Sequence, residues 1–509
     1  MTCFASTTAF ANIVIGSKNF SESFILGEML GLILEERYHQ PVVRKLGLGG
    51  TQVALDALIH DNIHVYPDYT GTGYVMVLKK EKERDPDKIF DIVQKEFQKK
   101  WNIQWSEPLG FNNTYALAVR KEDSRFDGIA KISQLSGEKL PYVYAGAYEY
   151  MERKDGHSQF VQKYNLKFDP SNVISMNAGL MYSSIRDKKV DMVVAYSTDG
   201  RIQAYNLRLL EDDLQFFPPY YVSYLAKSKT LLKFPQLEEA IELLEGQISE
   251  KEMIRLNDQV DRLKKEPKEV ARIFLEEKGL LKVSANKPLP TKSFSSYIIK
   301  RKNYLIKLFW EHCTLSFGAL LLALIFSIPL GIAMTRFPVL GRIGFPVVNT
   351  IQTIPSLALL GFLIPVLGIG FAPAILALFL YSLLPLVRNT YTGILNVDPL
   401  FIEVSKGVGL TPLQILWKVE IPLALPVILA GLRTAAVIVI GTATLAALIG
   451  AGGFGDPIFR GVATVNSHLI LLGAIPAALF AIVVDQLIGF AERYFVSKGI
   501  QLSMRANSK

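Results

Sequence analysis

The sequence predicts a two-lobed α/β domain followed by an all-α membrane domain of about five helices. Two observations lead to this prediction. Charged residues are plentiful in the first part of the chain and scarce in the second, and short β-rich runs alternate with helical patterns only before residue 286. The two parts therefore suit different solvents, which excludes a wholly soluble protein and a wholly membrane-embedded one.

The charge distribution divides the 509 residues near residue 302. Residues 1–302 carry 43 Lys and Arg and 40 Asp and Glu, as a water-facing surface does, whereas residues 303–509 carry only 12 and 7. The formal net charge of +8 contains no basic block. Nucleic-acid binding therefore has no electrostatic support.

The sequence lacks the signatures of a metal site or an ATPase. The two cysteines, Cys3 and Cys313, are too few for a disulfide framework or a Cys-rich metal site, and the six histidines have no ligand spacing. A phosphate-binding GxxxxGK[ST] loop does not occur. We therefore expect no catalytic site, no metal and no cofactor, and any ATP that the protein needs would be bound by a partner subunit.

The α/β domain is predicted over residues 12–285. Residues 12–16 are typical of a strand, Ser21–Glu36 of an amphipathic helix with Ser21 as its cap, and Val190–Tyr196 of a buried strand. This alternation predicts mostly parallel sheets.

About 270 residues suffice for two lobes. We expect lobe 1 at about residues 12–116 and 210–285 and lobe 2 at about 117–209. The chain would cross between them near Tyr115–Val119 and near Leu209–Tyr220. Ligand would then close the lobes like a hinge.

The segments flanking this domain have separate roles. Residues 1–11 end in Ala-Phe-Ala, as a signal-peptidase site does, but no basic region or apolar core precedes it. We expect them to be the remnant of a longer signal peptide. Residues 286–302, which include Pro288 and Pro290, are predicted to be a linker, and the membrane domain would occupy residues 303–509.

The membrane domain contains five apolar stretches long enough to cross a hydrocarbon layer of roughly 30 Å. They lie near residues 312–334, 344–369, 371–393, 424–448 and 467–490. Two charges fall inside them, Arg433 in the fourth and Asp485 in the fifth. Both lie near an interface, so we interpret them as structural, held by snorkelling or by helix pairing.

The distribution of positive charge predicts the orientation of these spans. The loops after spans one and three and the C-terminal tail are rich in Lys and Arg; their basic residues are Arg336, Arg342, Arg388, Lys406, Lys418, Lys498, Arg505 and Lys509. The two other loops hold only Arg460. We therefore expect the C-terminus in the cytoplasm and the first 300 residues outside.

A short motif separates spans three and four. Glu403-Val-Ser-Lys-Gly-Val-Gly409 is followed after nine residues by Val419-Glu-Ile-Pro422. This resembles the EAA loop of ABC importer permeases, with Val404 and Ser405 in place of two alanines. The resemblance implies a type I importer whose loop, residues 403–422, docks on a separate ABC ATPase. The candidate coupling residues are Glu403, Gly409, Trp417 and Pro422.

Six motifs follow one another in the α/β domain. In chain order they are Ile15-Gly-Ser-Lys-Asn-Phe-Ser-Glu22, Gly47-Leu-Gly-Gly-Thr51, Tyr66-Pro-Asp-Tyr-Thr-Gly-Thr72, Asn112-Asn-Thr-Tyr-Ala116, Ala195-Tyr-Ser-Thr-Asp-Gly-Arg201 and Phe216-Phe-Pro-Pro-Tyr220. Together they resemble the binding proteins for glycine betaine, choline and carnitine in osmoprotectant ABC importers. The resemblance covers nearly all of residues 12–285 and implies a type II periplasmic-binding-protein fold.

The resemblance also implies the binding residues. A quaternary ammonium has no N–H to donate, so aromatic rings must recognise it by cation–π attraction. The family's tyrosine cage carries over to Tyr69, Tyr115, Tyr196 and Tyr220. Donors to a ligand carboxylate, where the ligand has one, carry over to Lys18, Thr72 and Arg153. Asn113 is a candidate to lend a carbonyl oxygen to the cation.

The two resemblances imply an importer subunit of a bacterial plasma membrane that works as a homodimer. Its substrate would be a small quaternary ammonium compatible solute, and the partner ATPase would supply the energy. Two alternatives remain open, which are ergothioneine as the ligand of the same cage and a ligand-gated channel or sensor. The second predicts a pore loop or a signalling domain, and neither is evident in the sequence.

Overall fold

The computed structural model describes residues 12–80, 83–153, 156–283, 298–299, 301–464 and 466–495. The expected signal-peptide remnant, most of the expected linker and the basic residues Lys498, Arg505 and Lys509 lie outside these ranges. The chain divides into two compact units, residues 1–290 with 459–470, and residues 291–458 with 471–509.

Twelve strands lie in the described part of the first unit. In chain order they are β1 Ile13–Gly16, β2 Val42–Lys45, β3 Val65–Tyr69, β4 Ile103–Trp105, β5 Tyr115–Arg120, β6 Lys139–Leu140, β7 Tyr144–Ala147, β8 Lys167–Phe168, β9 Val173–Met176, β10 Met192–Tyr196, β11 Leu207–Leu210 and β12 Val222–Lys227. They form a sheet in the order β2-β1-β3-β12-β4, another in the order β11-β5-β10-β7-β9, and a short β6-β8 pair. The two large sheets are the cores of two lobes.

Both large sheets are mixed, whereas the sequence pattern predicts mostly parallel ones. β1 pairs in parallel with β2 and β3, and β7 with β9 and β10. β12 is antiparallel to β3 and β4, and β5 is antiparallel to β10 and β11. The antiparallel strands β5 and β12 are the ones that the chain enters directly from the other lobe. They need no helical crossover, which is what parallel neighbours require.

Helices pack against the strands of both large sheets. The longer helices of this unit are Ser21–Arg37, Thr51–Ile59, Pro86–Trp101, His157–Lys163, Ala178–Arg186, Pro235–Glu242, Glu250–Asp261 and Pro267–Glu277. The first of them is buried from Ser21 to Leu34 and is therefore a core helix rather than the expected amphipathic one. The expected cap is also wrong. Phe20 occupies the N-cap position, and the Ser21 hydroxyl instead donates to the buried carboxylate of Asp261.

Two neighbouring segments connect the lobes, one from β4 to β5 and one from β11 to β12. Asn112 and Tyr221 form an antiparallel bridge between them. The amide N–H of Tyr220 also donates to Oδ1 of Asn112 at 2.7 Å, and that of Asn113 donates to the Tyr220 carbonyl at 3.1 Å. These hydrogen bonds hold the two crossings side by side at the ends of β5 and β12.

Several helices of the second part of the chain are long and apolar. Within the described residues its α-helices are Lys302–Arg336, Pro338–Thr353, Ser356–Leu367, Phe371–Leu395, Pro399–Gly407, Pro412–Ile415, Ile421–Ala443, Gly455–Ala463 and Ser467–Phe495. Four stretches are long and apolar enough to cross a membrane, namely Lys302–Arg336, Phe371–Leu395, Pro412–Ile449 and Ser467–Tyr494, and a bent helix pair makes up to five.

That bent pair departs from the sequence pattern, which shows one apolar stretch at 344–369. The pair consists of Pro338–Thr353 and Ser356–Leu367, which meet at an angle of 98°. Pro355 lies at the break and has no N–H to continue the helical hydrogen bonds. A hydropathy pattern does not reveal this bend, because the residues on both sides of it are apolar.

Candidate ligand site

One cavity brings together all seven predicted binding residues. It has a volume of about 260 Å³, and its wall includes Lys18, Tyr69, Thr72, Tyr115, Arg153, Tyr196 and Tyr220. Asn113, the candidate carbonyl donor, also lines it. Tyr69 ends β3, Tyr115 begins β5 and Tyr196 ends β10, so residues far apart in sequence meet where strands of both sheets begin or end. A cavity of this size suits a small ligand.

The tyrosine rings converge on this cavity. The centroid of the Tyr115 ring lies 5.3 Å from that of Tyr196 and 5.5 Å from that of Tyr220, whose plane is nearly perpendicular at 87°. Phe20 continues the set, 6.2 Å from Tyr69 and 6.4 Å from Tyr196. The arrangement places several aromatic rings around one small volume, as binding of a cation by cation–π attraction requires.

Burial keeps the phenols of the cavity neutral. It raises the pKa of both Tyr69 and Tyr115 well above the ordinary value. The nearby charge of Glu22 raises that of Tyr69 further, whereas Arg153 opposes the shift at Tyr115. These rings therefore act as uncharged aromatic surfaces at physiological pH.

The predicted cationic residues already have acidic neighbours. Nζ of Lys18 lies 2.8 Å from Oδ1 of Asp68 and 4.8 Å from the centre of the Tyr69 ring. The Arg153 guanidinium lies 3.9 Å from Glu149 and donates to the Tyr220 hydroxyl at 3.2 Å.

Arg153 also joins the remaining residues of this group. It donates to Thr72 Oγ1 at 3.4 Å, and its guanidinium carbon lies 5.6 Å from the centres of both the Tyr115 and Tyr220 rings. Lys18 and Arg153 thus each lie next to tyrosine rings of the cavity.

Among the cavity residues that the motif analysis did not predict are Phe20, Glu22 and Asn257. Phe20 and Glu22 belong to the same short motif as Lys18. An aromatic and an acidic residue within four positions of a predicted binding residue are the signal that could have identified them. Asn257 lies on the helix Glu250–Asp261, and no sequence pattern marks it.

The predicted ATPase-coupling residues lie in a different setting. Glu403, on the helix Pro399–Gly407, is exposed, as are Gly409 and Pro422, and Trp417 is 63% exposed. Gly409 has a φ of +85°, a left-handed conformation that favours glycine, and it ends the helix with a turn. The loop thus presents apolar and acidic side chains on a sharply turned backbone.

The two charges inside predicted spans face each other. An Nη of Arg433 donates to Oδ2 of Asp485 at 2.6 Å, and its Nε donates to the other carboxylate oxygen. This bidentate pair matches the interpretation of both residues as structural charges held by helix pairing.

Two family models match the chain, one over each part. The substrate-binding domain of the ABC-type glycine betaine transport system matches residues 11–277. The inner membrane component of binding-protein-dependent transport systems matches residues 327–498. The second match, together with the apolar helices, identifies a multi-pass membrane protein.

Similar proteins have the same character. The choline transport system permease protein OpuBB of Bacillus subtilis is 47% identical over 192 residues, which are 38% of this chain and 88% of that protein. The ergothioneine transport permease/ergothioneine binding protein EgtU of Helicobacter pylori is 35% identical over 269 residues, 53% of this chain and 48% of that protein.

A crystal structure of a glycine betaine/carnitine/choline ABC transporter is 35% identical, with a TM-score of 0.46, over 53% of this chain and 99% of that one. The family matches favour an importer over a ligand-gated channel or sensor, because both matching models describe components of transport systems. The chain belongs to the binding-protein-dependent ABC importers and joins a substrate-binding domain of the glycine betaine type to an inner membrane permease in one polypeptide.

Proposed function

We propose that this subunit captures a quaternary ammonium compatible solute, of the glycine betaine, choline and carnitine class, outside the membrane and conducts it inward. The convergence of four tyrosine rings on one small cavity carries the proposal. Each ring over a cation contributes about 0.5–2 kcal/mol. Four rings together therefore supply enough attraction for a ligand that offers no N–H to donate.

The cations of the wall have a supporting role in this proposal. Lys18, Thr72 and Arg153 are the groups that would meet a carboxylate in those members of the class that have one. Because Lys18 and Arg153 already contact Asp68 and Glu149, a ligand carboxylate would have to share them.

The energy would come from a separate ABC ATPase that docks on residues 403–422. The exposure of Trp417 and the turn at Gly409 support this proposal, since a rigid protruding loop can transmit a displacement. Importers of this kind enclose their path with two permease domains, and this chain matches the permease family model over residues 327–498. We therefore propose a homodimer, with the substrate-binding unit outside and the C-terminus in the cytoplasm.

Ergothioneine is the second candidate ligand. The relative EgtU is named as both a permease and a binding protein for it, and this chain likewise combines the two parts. Ergothioneine carries a trimethylammonium group that the same rings could bind, but its imidazole-thione would need polar partners beyond the cage.

Calorimetry on the full chain in detergent tests the proposal. Glycine betaine, choline, carnitine and ergothioneine are titrated separately. Micromolar binding of one of the first three supports the proposed class. Ergothioneine alone binding would replace the substrate with the second candidate, and no binding of any of the four would refute the ligand class.

A further inference from the structure

The carboxylate of Glu22 lies in the wall of the ligand cavity and is 3% exposed. It accepts four hydrogen bonds, all from uncharged groups. Oε1 accepts from the Tyr69 hydroxyl at 2.6 Å and from Asn113 Nδ2 at 2.8 Å, and Oε2 accepts from the Thr198 hydroxyl at 2.6 Å and from Asn257 Nδ2 at 2.9 Å. One buried acid thus holds a cage tyrosine and groups of both lobes.

This arrangement suits an ionised carboxylate. Each oxygen receives two donors, and a proton on either oxygen would require the Tyr69 or the Thr198 hydroxyl to turn and accept it. Within the described residues Glu22 has no ion pair. Burial raises the pKa of Glu22, and the four donors oppose this rise. A buried charge held only by neutral dipoles is costly, and a cation in the adjoining cavity would lower that cost.

The basic residues of the wall do not supply this cation, because each has its own acid. Lys18 is 2.8 Å from Asp68, and Arg153 is 3.9 Å from Glu149. Arg201, a third basic residue of the wall, lies 2.6 Å from Asp199 and 3.5 Å from Asp261. These three basic residues have four acidic neighbours, so the seven side chains together carry more negative than positive charge even before Glu22 is counted.

The cavity also has hydrogen-bond acceptors without donors. Asn113 and Asn257 both direct Nδ2 to Glu22, and their Oδ1 atoms are buried without a partner in the described part of the chain. A ligand hydroxyl could satisfy such an acceptor. A ligand carboxylate would instead add two more acceptors, and the basic donors of the wall, Lys18 and Arg153, already contact carboxylates.

We propose that the cavity prefers a quaternary ammonium ligand with a net positive charge and a hydroxyl group over a zwitterion, and that Glu22 sets this preference. The inference rests on the proposed function and narrows its ligand class. Choline is the simplest ligand with both features, and glycine betaine is the matched zwitterion with the same trimethylammonium head.

The test is calorimetry on the full chain in detergent with choline and with glycine betaine at equal ionic strength. We expect choline to bind at least about tenfold more tightly than glycine betaine. One additional interaction between a ligand charge and the buried Glu22 carboxylate is large enough for such a difference. In Glu22→Gln the choline affinity should fall by about tenfold or more, and the ratio between the two ligands should shrink.

Glu28→Gln is the matched control. Glu28 lies on the same helix, is 6% exposed and contacts Arg44 at 2.6 Å, so the variant loses the same charge away from the cavity. It should leave the ratio between choline and glycine betaine unchanged. The wild-type ratio requires no variant, so the inference remains testable even if Glu22→Gln does not fold.

The outcomes separate the two proposals. Equal or tighter binding of glycine betaine, or tighter binding of ergothioneine than of choline, would overturn this inference. With glycine betaine bound, the proposed quaternary ammonium class would still stand. An unchanged ratio in a folded Glu22→Gln protein would remove Glu22 from the account. Binding of none of these ligands would refute the inference together with the proposed function.

Discussion

The ligand cavity and the loop at residues 403–422 place their predicted functional residues in opposite environments. Tyr69 is 5% exposed and its hydroxyl donates to a buried carboxylate, whereas Trp417 is 63% exposed. In the cavity, therefore, a side chain that we propose to bind the ligand also packs in the hydrophobic core. In the loop, a side chain can be removed with little effect on the fold. An alanine substitution in the cavity therefore changes packing together with any ligand contact, whereas one in the loop tests the exposed side chain alone.

The largest expected effect is in the cavity. Tyr196→Ala should weaken binding of the trimethylammonium ligand by about tenfold or more, because it removes a π-face from the cage. Tyr196→Phe retains the ring and should bind nearly as the wild type does. Calorimetry on both variants measures the comparison, and equal losses in the two would show that the hydroxyl rather than the ring matters.

Trp417→Ala should separate binding from transport. Because the side chain is exposed, we expect ligand affinity and thermal stability to remain at wild-type values while ATP-driven uptake in proteoliposomes falls by about tenfold. The control is Trp310→Ala, whose side chain is 62% exposed on another helix of the permease part. Normal uptake by Trp417→Ala would remove this residue from the proposed docking surface.

Gly409→Ala sharpens the same contrast on the backbone. Apart from its two chain neighbours, no heavy atom of the described residues lies within 4 Å of the position that an added Cβ would occupy, so the cost comes from the φ of +85°. We expect a loss of about 1 kcal/mol in the local stability of the turn and a moderate fall in uptake, without loss of ligand binding. Hydrogen exchange of residues 403–415 in Gly409→Ala against wild type measures it, and unchanged exchange would contradict the expectation.

The smallest effect concerns pH. Burial raises the pKa of Asp261 above its ordinary value of 3.8, so the folded protein keeps this proton at pH values where the unfolded chain has released it. The free energy of unfolding should therefore fall as pH rises from 3.8 through the raised pKa. Asp261→Asn should flatten this slope in thermal unfolding, whereas Asp258→Asn, on the same helix and paired with Arg262, should leave it intact.

Local motifs predicted the four tyrosines of the cavity but not the contacts that hold them. Tyr69, Tyr115, Tyr196 and Tyr220 each stand in a short recognisable motif, and the structure brings all four to one cavity. The contacts of Glu22 depend on residues 176 and 235 positions away in the chain. Such pairings follow from the tertiary fold, and neither periodicity nor motif spacing contains them.

The same limit explains the differences in the fold. An alternating pattern reports strands and helices but not strand direction, so the antiparallel β5 and β12 were not predicted. Apolar composition reports a possible membrane crossing but not its straightness, so the 98° bend at Pro355 was not predicted either. In both cases, sequence patterning determines the type of element, and its direction is set by neighbouring elements.

The composition of the cavity wall has a spectroscopic consequence. The wall contains tyrosines and a phenylalanine but none of the four tryptophans, all of which belong to the described part of the chain. A ligand cation would therefore perturb phenol chromophores directly and indole chromophores only at a distance. Near-ultraviolet absorbance differences of tyrosine, rather than tryptophan emission, should be the natural optical signal of occupancy in this protein.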